Sequence, residues 1–365
     1  MSGGIKVVAI YASELARRGH TVRVISVAHQ KLSLARKIRR WVRGDGWISE
    51  QMRRRSHLDG LDLDHRVISR CAAIIDDDVP DADVVIATWW ETAEWVNALS
   101  RQKGAKAYFV QGHEVFPHLP VERCHATYRL RFHKIVVADW LRRVMKAEYQ
   151  DDVVDVVPNS VDRSVFFSPL RGKQSLPTIG FLYTPTQSKG LDLALAAIAR
   201  VRQRAPGLRI MSFGDRPPVP GMRLIAGTDY RVLPPLHEIR NIYGSCDVWV
   251  TASRSEGFNL PAMEAMACRT PVVSTKTGWP EEAIRSEWNG VLVDIDDVDG
   301  LVRGIEWVLT RSEKDWMRLS ANAYETVANS SWDNSATLFE EALKHACERA
   351  RRGEIDGGDF VIHAA

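Results

Sequence analysis

The sequence predicts an α/β protein built from two doubly wound, Rossmann-like domains. Three observations carry this expectation. Short runs rich in Val and Ile alternate with helix-compatible segments along almost the whole chain, which is the signature of parallel strands covered by helices on both faces. The alternation restarts after the turn-rich PNSVDRSVFFSP (158–169). The chain has 365 residues, 45% of them hydrophobic, which is enough for two separate cores.

The elements follow in order. IKVVAIYA and the residues after it set Ile5, Val8, Ala9, Ala12, Leu15 and Ala16 at 3.6-residue spacing and run into Arg17-Arg18-Gly19. That pattern is an amphipathic helix closed by a glycine, not a strand. Strands are expected in TVRVISV (21–27), DVVIATW (83–89), KAYFV (106–110), KIVVA (134–138) and VVDVVP (153–158), with helices in ETAEWVNALSRQKG and DWLRRVMKAEYQ. The second half offers PTIGFLY, LRIMSFG, MRLIAG, DVWVTAS and TPVVST as strands and LDLALAAIARVRQRA as a helix. WDNSATLFEEALKHACERARR (332–352) reads as a long helix with Phe339, Ala342, Leu343, Ala346 and Ala350 on one stripe. The expected division is an N-terminal domain over 1–160, a C-terminal domain over 161–331, and a final helix over 332–352 that returns to the N-terminal domain. Two such sheets would face each other across a cleft at their carboxyl ends, where ligands of open α/β folds bind.

Composition removes several classes of function. No apolar run approaches the roughly 18 residues of a membrane span, and no secretory signal pattern opens the chain, so a cytoplasmic location is expected. Five cysteines are scattered without a CxxC pair, which suggests neither a disulfide framework nor a zinc site. A net charge of +3 does not call for a nucleic-acid partner. One local imbalance stands out: residues 31–55 hold nine basic residues against two acidic ones, with Leu34, Ile38, Trp41 and Val42 at helical spacing. Two readings stay open for it. It is a solvated loop, or it rests peripherally on an anionic membrane surface or grips a polyprenyl diphosphate or anionic glycan.

The chemistry concentrates in SRSEGFNLPAMEAMACRTPVVSTKTG (253–278). An apolar strand runs into a turn containing Arg254, Glu256, Gly257, Phe258 and Asn259, and Leu260 opens a helix with Pro261 in its first turn, where proline is tolerated. A strand ending in a glycine turn that opens a helix presents free backbone N–H groups and a positive dipole end, a place for a phosphate. Glu264, about one turn into the helix, could accept two hydroxyl hydrogen bonds from a ribose diol. Glu256 would reach the group beyond the phosphates.

On these residues the chain resembles the family 4 retaining glycosyltransferases of GT-B fold. EGFNLPAMEAMA with TPVVST is similar to their E-x7-E signature, and SGGIKVVAIYASELARRGHTVRV, VVPNSVD, SKGLDLALAAIARV and NGVLVD resemble further landmarks in the same order. The resemblance implies transfer of a sugar from a nucleotide-sugar donor, with retention and without a required metal or other cofactor, to a glycan or polyprenyl-linked acceptor, in the manner of bacterial surface polysaccharide synthesis. It implies that Glu264 binds the donor ribose, that Glu256 meets the transferred sugar, and that Lys189 neutralises the departing diphosphate, as a fixed positive charge can. His113 in VQGHEVF falls where the family has a histidine near the donor sugar; Glu114 beside it is a weaker candidate. Gly3 and Gly4 match the Gly-Gly loop through which the N-terminal backbone approaches the phosphates. Where the family has an arginine, GFL offers Phe181, with Arg254 the candidate substitute. Arg269 and Trp279 stand where the family usually has glycine. A nucleotide-sugar epimerase of the same fold, or a non-catalytic sugar-binding relative, stays open. The family also has a β-strand before its Gly-Gly loop; with only Met1 and Ser2 ahead of Gly3, the expectation is that the natural chain begins upstream, or that another segment takes the central place in the sheet.

Overall fold

The computed structural model describes residues 3–28, 56–69 and 72–356; the basic stretch 31–55 lies outside the described residues. The chain divides into two units. The first comprises Met1–Phe109, Glu114–Ile135 and Ala336–Ala365, the second Val110–His113 and Val136–Ser335.

In the first unit the expected N-terminal helix forms as α1 (Gly3–Arg17), with Val7, Ala9, Tyr11, Ala12 and Leu15 buried. β1 (Arg23–Val27) pairs in parallel with β2 (Asp64–Ile68) in a two-stranded sheet of its own. β3 (Val84–Ala87), β4 (Ala105–Val110) and β5 (His133–Val136) follow one another in a second sheet, with β3 and β4 parallel in the register Val84 to Ala105. α2 (Trp90–Ala98) follows β3, and α3 (Val121–Tyr128) precedes β5. β4 is buried along its whole length, as a central parallel strand should be. Even Lys106 is buried there. Its Nζ donates to the carbonyls of Asn97 and Leu99, 2.8 Å each, at the end of α2. The helix Trp332–Arg351 contributes its predicted stripe from Ala336 onward: Phe339 stacks on Tyr11 at 4.4 Å, and Ala346 and Ala350 pack on Ala105 and Ala107. Aromatic contact and small-residue packing thus tie the last helix to the first unit's sheet.

The second unit holds α4 (Asp139–Tyr149) and β6 (Val154–Val156), then a six-stranded sheet. Its strands are β7 (Thr178–Tyr183), β8 (Arg209–Gly214), β9 (Asp229–Val232), β10 (Val248–Thr251), β11 (Val272–Thr275) and β12 (Gly290–Val293). They are ordered β12-β11-β10-β7-β8-β9, and all the pairs are parallel. α5 (Leu191–Arg204) and α9 (Val298–Leu309) cover one face of this sheet through Leu191, Ala194, Ile198, Leu301 and Ile305. Between them in the chain lie α6 (Leu236–Gly244), α7 (Leu260–Ala267) and α8 (Trp279–Ala283), and α10 (Glu313–Val327) follows α9. Trp316 of α10 donates from Nε1 to the Asp247 carbonyl at 2.9 Å.

One expected strand does not form. MRLIAG is irregular, and the sheet edge is instead the polar DYRV of β9. The apolar side chains Met222, Leu224 and Ile225 are used for packing against the core, and Ile225 O closes a turn by accepting from the Thr228 amide at 3.1 Å and hydroxyl at 2.7 Å. An apolar run supplies burial without supplying a ladder, a distinction periodicity does not draw.

The strand order fixes where a site can lie. From β7 the chain winds outward through β8 and β9, then returns to place β10 on the other side of β7. The loops after β7 and β10 therefore leave the sheet at its switch point, the place where doubly wound sheets bind ligands.

Candidate functional site

The loop after β7 carries Lys189 and the loop after β10 carries Glu256, and they meet at the switch point. Lys189 Nζ lies 2.6 Å from Glu256 Oε2, with the lysine side chain 38% exposed and the glutamate 9%. The two loops can approach because Gly190 has φ +58°, and a Cβ there would sit 1.9 Å from the Ala252 carbonyl oxygen. No L side chain fits that space. The Arg254 and Ser255 amides donate to Ser188 O at 2.7 and 3.2 Å, locking one loop onto the other.

Glu256 is held on every side. Ser253 Oγ donates to its Oε1 at 2.7 Å, and its own amide donates to Thr277 Oγ1 at 3.1 Å. Asn259, in the left-handed region at φ +79°, precedes α7 and donates from Nδ2 to Thr251 Oγ1 at 2.8 Å. Phe258 is buried and stacks on Trp279 at 5.6 Å. The side chains of Phe258 and Asn259 thus fasten the turn, and what Gly257, Phe258, Asn259 and Leu260 can offer a ligand is their backbone at the start of α7.

Glu264 is on α7, 8% exposed, and accepts from the Tyr243 hydroxyl at 3.0 Å. Tyr243 is fully buried beneath it between Phe213 and Trp249, and burial first, with Glu264 beside it, pushes the phenol well above its ordinary range. It therefore stays a neutral donor to the carboxylate at any ordinary pH. A cation paired with a fixed carboxylate stands ahead of a helix start, and the helix carries a second fixed carboxylate, which suits a diphosphate flanked by hydroxyl groups.

Other expected residues fall differently. Arg254 forks onto Asp192 at 2.7 and 2.9 Å and reaches Asp296 at 2.6 Å. The Asp192 carboxylate raises the guanidinium further above its usual range. With two carboxylates already on it, Arg254 braces these segments; Phe181, where the family has an arginine, is core. Gly3 and Gly4 lie in the first turn of α1 in the first unit, a helical backbone and not the loop that the resemblance implies. His113 shares a 2.6 Å hydrogen bond with Tyr149 through Nε2 and lies 3.7 Å from Glu148, at the end of α4. Glu114 is 6% exposed in the first unit. Its Oε2 accepts from the Trp90 amide at 3.1 Å where α2 begins, its own amide donates to the Tyr128 hydroxyl at 2.8 Å, and burial pushes its carboxyl up to about 8.

Sequence reasoning passed over Tyr243, Ser253 and Thr277, which hold the two glutamates. Nothing in their spacing marks them. Ser253 and Thr277 do lie at the two ends of the quoted stretch, after β10 and β11, where a doubly wound sheet collects ligand contacts.

Residues 173–311 match the family described as glycosyl transferases group 1. D-inositol 3-phosphate glycosyltransferase of Mycolicibacterium smegmatis is 33% identical over 213 residues, 53% of this chain and 48% of that one. The Stackebrandtia nassauensis protein of the same name is 29% identical over 54% of this chain and 50% of its own. The chain spans half or less of the length of such relatives. Among solved structures, Anabaena HepE in complex with UDP and glucose has a TM-score of 0.67 at 15% identity, over 94% of this chain and 96% of that one. A glycosyltransferase from Rickettsia africae has 0.66 at 16%, over 94% and 95%. The fold is the GT-B fold of these glycosyltransferases.

Proposed function

We propose that this chain is a retaining glycosyltransferase that moves a sugar from a nucleoside-diphosphate sugar to a hydroxyl of a glycan or lipid-linked acceptor, as in the building of a bacterial surface polysaccharide. The observation that carries the reading is the Lys189 and Glu256 pair at the switch point, with Glu264 on α7 next to it in the chain. The diphosphate lies at the start of α7 and against Lys189, whose charge takes up what develops on the leaving phosphate. Glu264, held by the Tyr243 hydroxyl beneath it, accepts the ribose hydroxyls, and Glu256 those of the transferred sugar. Lysine and the helix start supply the charge stabilisation, so the reaction as proposed calls on no metal ion. The acceptor oxygen enters on the face that the phosphate leaves, and that phosphate takes its proton, which gives retention without a protein nucleophile. The basic stretch 31–55 brings the enzyme to an anionic membrane surface that carries the acceptor. No helix among the described residues is long and apolar enough to cross a membrane.

Released nucleotide, measured over a panel of nucleotide sugars with and without glycan and polyprenyl-phosphate acceptors, tests the proposal. Acceptor-dependent release is expected. Interconversion of donors would mean an epimerase, and binding without turnover a sugar-binding protein.

A further inference from the structure

The turn that carries Glu256 is joined to a helix far from it in sequence. Trp140, at the start of α4, donates from Nε1 to the Gly257 carbonyl at 2.9 Å. The same residue's backbone amide donates to Glu282 Oε1, and the Asp139 amide donates to Glu282 Oε2 at 3.3 Å. Glu282 belongs to α8, so a carboxylate from one helix satisfies the otherwise unpaired first amides of another, where a negative charge is stabilised. Arg143 lies 3.9 Å from Glu282 and 2.7 Å from Asp139.

The segment that carries Glu282 is itself fastened to the turn. Thr277 accepts the Glu256 amide, the Trp279 amide donates to Phe258 O at 2.9 Å, and the Trp279 ring stacks on Phe258. Gly278, at φ +66°, approaches so closely that a Cβ would sit 2.8 Å from Glu256 Cβ. Gly257 is pressed on its other side: a Cβ there would lie 1.6 Å from Gln111 O. The contacts close a ring that runs from Gly257 O through Trp140 to Glu282, along α8 to Trp279 and Thr277, and back to Phe258 and Glu256.

We infer that Trp140 and Glu282 act as one latch, positioning residues that hold the 256–260 turn in the conformation that receives the donor diphosphate. Neither touches the donor in this reading; they act through the Gly257 carbonyl and the α4 amides. The consequence for binding rests on the proposed function. The latch itself does not, because it is a statement about the turn's backbone.

The test uses the full chain and three variants, Trp140→Phe, Glu282→Ala and the double variant. Amide hydrogen exchange over 256–260 is expected to speed up about five- to tenfold in either single variant, the loss of one to two hydrogen bonds, while exchange over 263–266 of α7 stays as in the wild type. The double variant is expected to be no faster than the faster single one, because both changes open one device. Glu282→Gln, which still offers an oxygen to one amide, restores part of the protection. UDP and GDP titrations should show affinity falling by a similar factor in the same variants for whichever nucleotide the wild type binds. Unchanged exchange over 256–260, or effects of the two changes that simply multiply, overturns the latch. If exchange responds as expected and the wild type binds neither nucleotide, the latch stands and the proposed donor site fails.

Discussion

Glu114→Gln isolates the energetic effect of one buried carboxyl. In the folded chain Glu114 is 6% exposed, and its pKa is pushed from the usual 4.5 up to about 8 by burial, partly offset by the Trp90 amide. Below pH 4.5 both folded and unfolded chains carry the proton, and the group costs nothing. As pH rises above 4.5 the unfolded chain gives up its proton while the folded chain keeps it, so stability falls until pH passes about 8. At about 1.36 kcal/mol per pH unit, this group alone removes roughly 2–3 kcal/mol between pH 5 and 7. Gln keeps an oxygen for the Trp90 amide and has no proton to lose. The variant's melting temperature should therefore approach or exceed the wild type's as pH rises from about 5 to about 8, the difference between them growing by several degrees. Differential scanning calorimetry of both proteins across that range reads it directly. Melting curves that stay parallel with pH would refute the assignment of a raised pKa to Glu114.

Two further outcomes follow from the geometry and one from the sequence. Tyr243→Phe removes the hydroxyl donated to Glu264 and should weaken UDP or GDP binding by about three- to tenfold, read by calorimetric titration, with little change in secondary structure by circular dichroism. Gly190→Ala puts a methyl group against Ala252 O at a positive φ and should lower unfolding stability by about 2–4 kcal/mol in urea titration. The 31–55 stretch should make the protein sediment with anionic vesicles and not with neutral ones, and added salt should release it; equal recovery in both supernatants leaves only the solvated-loop reading.

Strands and helices of the second unit were legible because most were packed on both sides, so their apolar runs carried an unambiguous signal. PTIGFLY and LDLALAAIARVRQRA fall on β7 and α5 almost residue for residue. The GT-B fold was legible too, through the E-x7-E flanks. MRLIAG failed because burial and strand pairing were served by different residues there. The N-terminal helix was legible as a helix but not in its buried face, which takes Val7 and Tyr11 and leaves Ile5 exposed; nor was the backbone state of Gly3 and Gly4, since a Gly-Gly pair suits a loop and a helix start alike. What sequence spacing cannot give is long-range pairing. Lys189 and Glu256 are 67 residues apart, and only the strand order brings their loops together. Arg254 was a fair candidate as a cation, but its pairing with Asp192 at the start of α5 and with Asp296 joins three segments distant in sequence. Trp140 and Glu282 carry no motif at all; their roles come from one helix end meeting another.

Whether Lys189, Glu256 and Glu264 form the donor site is read from the transfer rates of Lys189→Ala and Glu264→Ala against the wild type. Each is measured with the nucleotide sugar and acceptor that the wild type turns over. Each variant is expected to stay folded and to lose at least about tenfold in rate. Wild-type rates in either folded variant would contradict it.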